Sequence, residues 1–164
     1  MAFNHFDAKG QAIMVDVSGK QPTLRTAVAE ARVVLRPGTL SAILEGKMTK
    51  GDVLGVARLA GIAAAKRTPE LIPLSHPIAI HHAAIDFSTD PPKGEITIVA
   101  TIRAVERTGM EMEAMTAAAV AALTVYDMCK GTDRSITIRE ISLRYKEGGK
   151  SGVYKRGATR VTGR

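Results

Sequence analysis

At 164 residues the chain is most simply one domain. Its lone cysteine, Cys129, excludes an internal disulfide and fits a reducing cytoplasm, and no apolar run approaches the roughly 20 residues of a membrane-spanning helix. The formal net charge of +7 points to an anionic partner, but from Lys146 onward six Lys or Arg face one acid, Glu147, which gives that tail +5 and leaves +2 for the rest. The basic excess therefore sits in a Gly-rich tail expected to be mobile, not on a nucleic-acid-binding face. Such a tail could still close over an anionic small molecule. The first residues lack an uninterrupted apolar stretch, so no secretory signal is expected. With three Phe, three Tyr and no Trp, the core falls to Ala, Val, Ile, Leu and Met.

Residues 1–24 read as an irregular N-terminal segment, with Met14-Val15-Asp16-Val17 as a candidate short strand. A single α+β domain is expected over 25–147, and the basic tail over 148–164. Ala27 to Leu35 reads as a strand that Pro37-Gly38-Thr39 breaks. Thr39 is the expected N-cap of a short helix ending near Gly46. Asp52 is placed to cap a second helix, Val53 to about Lys66, whose Val53, Val56, Ala57, Ala60 and Ala64 recur at helical spacing. Pro69-Glu70 starts another turn. Ile78, Ile80, Ile85 and Phe87 belong to a strand whose phase shifts midway, as at a bulge. Asp90-Pro91-Pro92-Lys93-Gly94 is a turn, and Ile96, Ile98, Ala100, Ile102 and Ala104 alternate to form the hairpin partner. Met110 to Lys130 reads as one helix free of Gly and Pro, apolar nearly all round and so expected to be buried. Ile136, Ile138, Ile141, Leu143 and Tyr145 make a last strand, with its alternation slipping between Ile138 and Ile141. The order β-α-α-β-β-α-β predicts an α+β, ferredoxin-like split βαβ arrangement, an antiparallel sheet with helices packed on one face.

The long helix is the most informative element. Glu111 and Glu113 in its first turn and Lys130 in its last suit the helix dipole. Asp127 does not, being an acid in the last turn, and acids held against their surroundings cluster at functional sites. Glu113 and Asp127 are fourteen residues apart. That spacing puts them within about 40° on one face but about 21 Å apart along the axis. One small reacting centre cannot touch both. Either they serve different pockets, or a second subunit brings one end of its helix to the other end of this one.

Leu71-Ile72-Pro73-Leu74-Ser75-His76-Pro77 is the second informative stretch. Pro77 pushes His76 toward extended backbone and Pro73 stiffens the approach. A histidine held this way suits binding or proton transfer; the bland reading is a loop histidine satisfied by a backbone carbonyl. His81 and His82 fall on opposite faces of the following strand and read as structural or solvent-facing. Lys50 precedes Gly51-Asp52 at a predicted helix start, where anions are favoured, although a solvated loop lysine is the commoner case. Gly149-Lys150-Ser151 has the ending of a P-loop, but the earlier glycine falls at Arg144 and no helix follows, which excludes it. There is no C-x-x-C or H-E-x-x-H, so no metal site is expected, although His76 with Glu111 or Glu113 could hold a cation. An RNA-binding sheet of this kind needs aromatics on its central strands, and Glu95 to Glu106 has none.

Taken together, Lys50-Gly51-Asp52-Val53, Leu71 to Pro77, Gly109 to Met115, Leu123 to Lys130 and Gly148 to Gly152 resemble one family: cyclic pyranopterin monophosphate synthase, the C protein of molybdenum-cofactor biosynthesis. The resemblance runs from Met14-Val15-Asp16-Val17-Ser18 to Gly152. It departs from the family at Ser75, where many members are expected to carry cysteine, so no thiol role is assigned. The resemblance implies a lyase that rearranges (8S)-3′,8-cyclo-7,8-dihydroguanosine 5′-triphosphate to cyclic pyranopterin monophosphate with loss of pyrophosphate. By the same resemblance Asp127 is the catalytic acid or base, and Lys50 and Lys130 are essential cations. Leu74, Ser75, His76, Met112 and Glu113 are substrate contacts, with Glu111 in support. The resemblance further implies no tightly bound cofactor, with Mg²⁺ able to travel with the triphosphate. It implies a homohexamer, a trimer of dimers with sites at subunit interfaces, while a cytoplasmic location and no nucleic-acid or membrane partner are expected from composition. Two rivals stay open at this level: another nucleotide cyclase or hydrolase on the same scaffold, and a non-catalytic subunit that binds pterin or nucleotide and hands it on.

Overall fold

The computed structural model describes residues 6, 7 and 9–157. In chain order its elements are β1 (Thr23–Val34), α1 (Pro37–Leu44), α2 (Val53–Lys66), α3 (Thr68–Leu71), β2 (His82–Asp90), β3 (Glu95–Glu106), α4 (Glu111–Cys129), β4 (Thr137–Glu147) and β5 (Tyr154–Lys155). A 3-10 turn at Pro91–Lys93 joins β2 to β3. The strands pair antiparallel in the order β2-β3-β1-β4-β5. This is the expected ferredoxin-like arrangement, with a short fifth strand added at one edge.

The alternation of β1 and β3 builds the core. Ala27, Ala29, Ala31 and Val33 of β1 and Ile96, Ile98, Ala100, Ile102 and Ala104 of β3 all turn one face inward and are buried. Small side chains meet across the central pair, as at Ala29 and Ala100, so a helix can lie close to the sheet. Helix α4 does so through Ala114, Ala117, Ala118, Ala121, Ala122 and Val125, none of them exposed. Helix α2 packs beside α4, and Gly61 sets the distance between them. A Cβ there would lie 3.0 Å from the carbonyl oxygen of Ala117 and 3.1 Å from Ile85 Cγ1.

Three local expectations change. Thr39 is not the cap of α1. The helix starts three residues earlier, with Arg36 at the N-cap and Pro37 in the first helical position, where a missing N–H costs nothing. Thr39 is instead buried inside the first turn. Ile78 and Ile80 precede β2 and are not part of it. His81 explains the late start: its N–H donates to the Arg103 carbonyl, while its Nδ1 accepts from the Val105 N–H at 3.1 Å. The side chain thus takes a place in the ladder that backbone would otherwise fill. Met14-Val15-Asp16-Val17 joins no ladder. The slip expected in β4 is present. Glu140 has φ +55° and the pairing with β1 shifts between Glu30 and Arg32, then again between Val28 and Ala29. Leu143 therefore faces the core, while Tyr145 stands opposite Val28.

Beyond β4, residues 148–157 turn back and β5 pairs with Tyr145 and Lys146. The rest of the basic tail, 158–164, lies outside the described residues, as do residues 1–5 and 8. Among the described residues no helix is long and apolar enough to cross a membrane.

Candidate functional site

The site residues fall into two groups at opposite ends of α4. At its N-terminal end, Leu74, Ser75, His76, Glu111, Met112 and Glu113 line one cavity of about 420 Å³ together with Val15, Val17 and Lys20. Pro77 and Pro73 deliver His76 as the sequence suggests. Its Nε2 lies 2.7 Å from the Val15 carbonyl. A carbonyl can only accept, so Nε2–H donates and Nδ1 is the nitrogen left for other work. The segment expected as a strand thus serves as the support for His76.

Glu113 is 1% exposed, and its Oε1 has no hydrogen-bond partner among the described residues. Burial pushes its carboxyl up to about 7, with the negative charge of Glu111 adding to the effect. An unpaired buried oxygen on a residue that lines a cavity calls for an explanation, and a bound partner is one that fits this position. Glu111 is not free in this sense, since its Oε1 is paired with Lys146 Nζ at 2.8 Å.

A second cavity of about 750 Å³ opens directly beside the first and shares Lys20, Thr108, Gly109 and Glu111 with it. Its lining brings five cations, Lys20, Arg25, Arg107, Lys146 and Lys150, around a single acid, Glu111. Arg25 is held in place by donating from Nε to the Glu106 carbonyl at 2.8 Å and from Nη2 to the Arg107 carbonyl at 3.2 Å. The Gly148-Gly149 turn folds over this guanidinium. Gly149 has φ +71°, which favours glycine, and a Cβ there would fall 2.5 Å from Arg25 Nη1 and displace the guanidinium. Lys146 Nζ also donates to Ser151 Oγ at 3.1 Å. Crowded cations of this kind suit a polyphosphate.

At the C-terminal end of α4, Asp127 sits between two lysines. Lys130 Nζ is 2.7 Å from Oδ1, and Lys50 Nζ is 3.1 Å from Oδ2 and 2.8 Å from the Asp127 carbonyl. Lys130 first, then Lys50, holds the Asp127 carboxyl below its ordinary value. The unfavourable dipole position is therefore offset by one local cation and one distant one. Lys50, Tyr126, Lys130, Gly131 and Arg134 line a shallow cavity of about 400 Å³ here. No residue of that lining belongs to the other two cavities. A single chain does not bring Asp127 to His76 and Glu113.

The cations of the larger cavity escaped sequence reading. Lys20, Arg25, Arg107 and Lys146 come from four separate segments, and charge counting assigned Lys146 and Lys150 to a tail. The available signals were the anionic small molecule that the basic tail could close over and the cluster of glycines from Gly148 to Gly152 immediately after a strand. Among the described residues no three His, Cys, Asp or Glu side chains gather where they could hold a metal ion.

Known proteins resemble the chain over nearly its whole length. A curated relative from Geotalea uraniireducens (strain Rf4), named cyclic pyranopterin monophosphate synthase, is 76% identical over 156 residues, covering 95% of this chain and 98% of the relative. One of the same name from Geobacter metallireducens (strain ATCC 53774 / DSM 7210 / GS-15) is 72% identical with the same coverage. Another, from Chloroflexus aurantiacus (strain ATCC 29366 / DSM 635 / J-10-fl), is 54% identical over 93% of each chain. The model of the MoaC family matches residues 14–149 and so spans both groups of site residues. With a family match of that extent and relatives of that identity, the chain belongs to the MoaC family.

Proposed function

We propose that this chain is a lyase that converts (8S)-3′,8-cyclo-7,8-dihydroguanosine 5′-triphosphate to cyclic pyranopterin monophosphate and pyrophosphate in molybdenum-cofactor biosynthesis. The observation that carries the reading, beside the family, is the joined pair of cavities. One is small and holds a histidine and a carboxyl that titrates near 7; the other gathers five cations. A heterocycle attached to a triphosphate needs those two environments side by side. In the larger one, Arg25, Arg107, Lys20, Lys146 and Lys150 hold the phosphates and stabilise the charge that develops on leaving pyrophosphate. In the smaller one, Leu74, Ser75, His76, Met112 and Glu113 contact the heterocycle, and Glu111 supports them by fixing Lys146.

Opening and reclosing the ring needs a proton donor and a proton acceptor. Glu113 at about 7 carries a proton for much of the time at neutral pH and starts as donor. Asp127, kept ionised by Lys130 and Lys50, starts as acceptor. The two meet only if the Lys50–Asp127–Lys130 end of one subunit closes over the His76–Glu113 cavity of another. The proposed assembly is a homohexamer, a trimer of dimers, with the sites at its interfaces. No tightly bound cofactor is assigned, and Mg²⁺ can accompany the triphosphate. The cytoplasm is the proposed location, since Cys129 is buried and unpaired and a reducing compartment keeps it so.

The test is to incubate the pure protein with the cyclised dihydro-GTP and identify the products. Cyclic pyranopterin monophosphate and pyrophosphate in equal amounts are expected. Tight binding with no pyrophosphate released would instead establish a non-catalytic carrier.

A further inference from the structure

Asp133 is 1% exposed and has no part in the site described above. It lies just beyond the C-terminus of α4, and its carboxylate is shared. Oδ2 accepts from the Arg36 N–H at 2.9 Å and from the Thr39 hydroxyl at 3.2 Å. Oδ1 accepts from the Ser135 N–H at 3.0 Å and the Ser135 hydroxyl at 2.6 Å, with Arg36 Nε at 3.3 Å. Arg36 Nη2 in turn donates to the Thr132 carbonyl. Arg36 is the N-cap residue of α1 and has no side-chain cap of its own. Asp133 supplies that cap from 97 positions away, placing a negative charge where the helix dipole favours it.

The consequence reaches the proposed site. α1 and the turn after it lead to Lys50, while the last turn of α4 and its C-cap carry Asp127 and Lys130. The two segments are joined at the buried Asp133, at the bond from Arg36 to the Thr132 carbonyl, and at the half-exposed pair of Lys50 with Asp127. An exposed ion pair fixes geometry weakly. A buried carboxylate that accepts from Arg36 and Thr39 on the α1 side, and is itself anchored by both Ser135 donors, does so strongly. The bonds from Ser135 and Arg36 overcome the effect of burial and hold the Asp133 carboxyl well below the ordinary carboxylate range.

We propose that Asp133 is a positioning residue whose shared carboxylate locks the start of α1 to the end of α4 and so sets Lys50 against Asp127 and Lys130. This rests on reading that trio as catalytic. Misplacing reacting groups by about 1 Å can cost roughly 10²-fold in rate.

The test compares kcat and KM for Asp133→Asn, Thr39→Val, Thr39→Ser and Asp127→Asn, each confirmed folded by circular dichroism at the assay temperature. Asp133→Asn should lower kcat by about 10- to 10²-fold with little change in KM, because the phosphate-binding cations are at the other end of α4. Thr39→Val keeps the shape, removes one donor and guards against a failure of Asp133→Asn to fold. It should lower kcat several-fold, and Thr39→Ser, which keeps the hydroxyl, should restore it. Wild-type kcat in Thr39→Val, or equal losses in Thr39→Val and Thr39→Ser, would overturn the proposal while Asp127→Asn is inactive. Full turnover by Asp127→Asn would instead overturn the reading of the trio on which it rests.

Discussion

Replacing Glu113 by glutamine keeps the size and shape of a side chain that is 1% exposed and removes its ability to ionise. The carboxyl is raised from 4.5 to about 7, chiefly by burial. An unfolded chain releases this proton near the ordinary value, while the folded chain keeps it until about 7. Between the two values the folded state therefore binds the extra proton, and stability falls as pH rises. The loss is complete above the folded value. At about 1.4 kcal/mol per pH unit, it amounts to roughly 2–3 kcal/mol between pH 5 and pH 8. Glutamine carries no such penalty. The stability of Glu113→Gln relative to wild type should therefore improve by that amount on going from pH 5 to pH 8.

Urea denaturation followed by circular dichroism measures this directly. Both proteins are held at one protomer concentration, because any self-association would contribute to apparent stability. A variant-minus-wild-type difference that stays constant from pH 5 to pH 8 would refute the reasoning. It would mean that Oε1 finds a partner or water that the buried geometry does not show, and that the carboxyl ionises like an ordinary one.

Asp127→Asn should fold and bind substrate normally while turnover falls by at least about 10²-fold, the low end for a general acid–base group; near-normal turnover removes it from the catalytic list. Lys50→Ala and Lys130→Ala should both be strongly defective in turnover, and normal handling of substrate by either returns that lysine to the solvated surface. Arg25→Ala should weaken binding of the triphosphate by about tenfold or more, as expected for a charged hydrogen bond. A monophosphate analogue should lose less, and equal losses for both would place Arg25 away from the outer phosphates. Mixing Asp127→Asn with His76→Ala under conditions that exchange subunits should restore part of the activity, because some interfaces then regain both native residues. Persistent inactivity would put both residues in a site built from one chain.

Periodic elements were the legible part of the fold. β3 alternates without fault, and α4 runs unbroken from its Met110 cap to Lys130, because local spacing alone decides such elements. Two of the three misreadings come from a side chain that does what backbone or a local cap would normally do. Thr39 has the composition of a cap, but the cap of α1 arrives from Asp133. Ile78 and Ile80 have strand spacing, but the His81 ring takes a ladder position that backbone would fill. The site divides the same way. His76 and Asp127 were visible, the one through its flanking prolines and the other through its conflict with the dipole. Arg25, Lys20, Arg107 and Lys146 were not, since only strand order β3-β1-β4 brings their segments to one cavity.

Helix α4 turns these placements into a constraint on chemistry. It is 19 residues long and stiffened by alanine, so it holds Glu113 and Asp127 at a fixed separation of about 21 Å. No rearrangement within one subunit shortens that distance without breaking the core. The Asp127 side chain is 56% exposed in the single chain, and its two lysines are about half exposed. In water such charges interact weakly, and their field at a reacting group is screened. Closure by a second subunit would expel that water. The same Lys50–Asp127–Lys130 cluster would then act at full strength on a heterocycle held by the partner's cavity. The predicted catalytic unit is thus an interface, with each helix contributing its opposite ends to different sites.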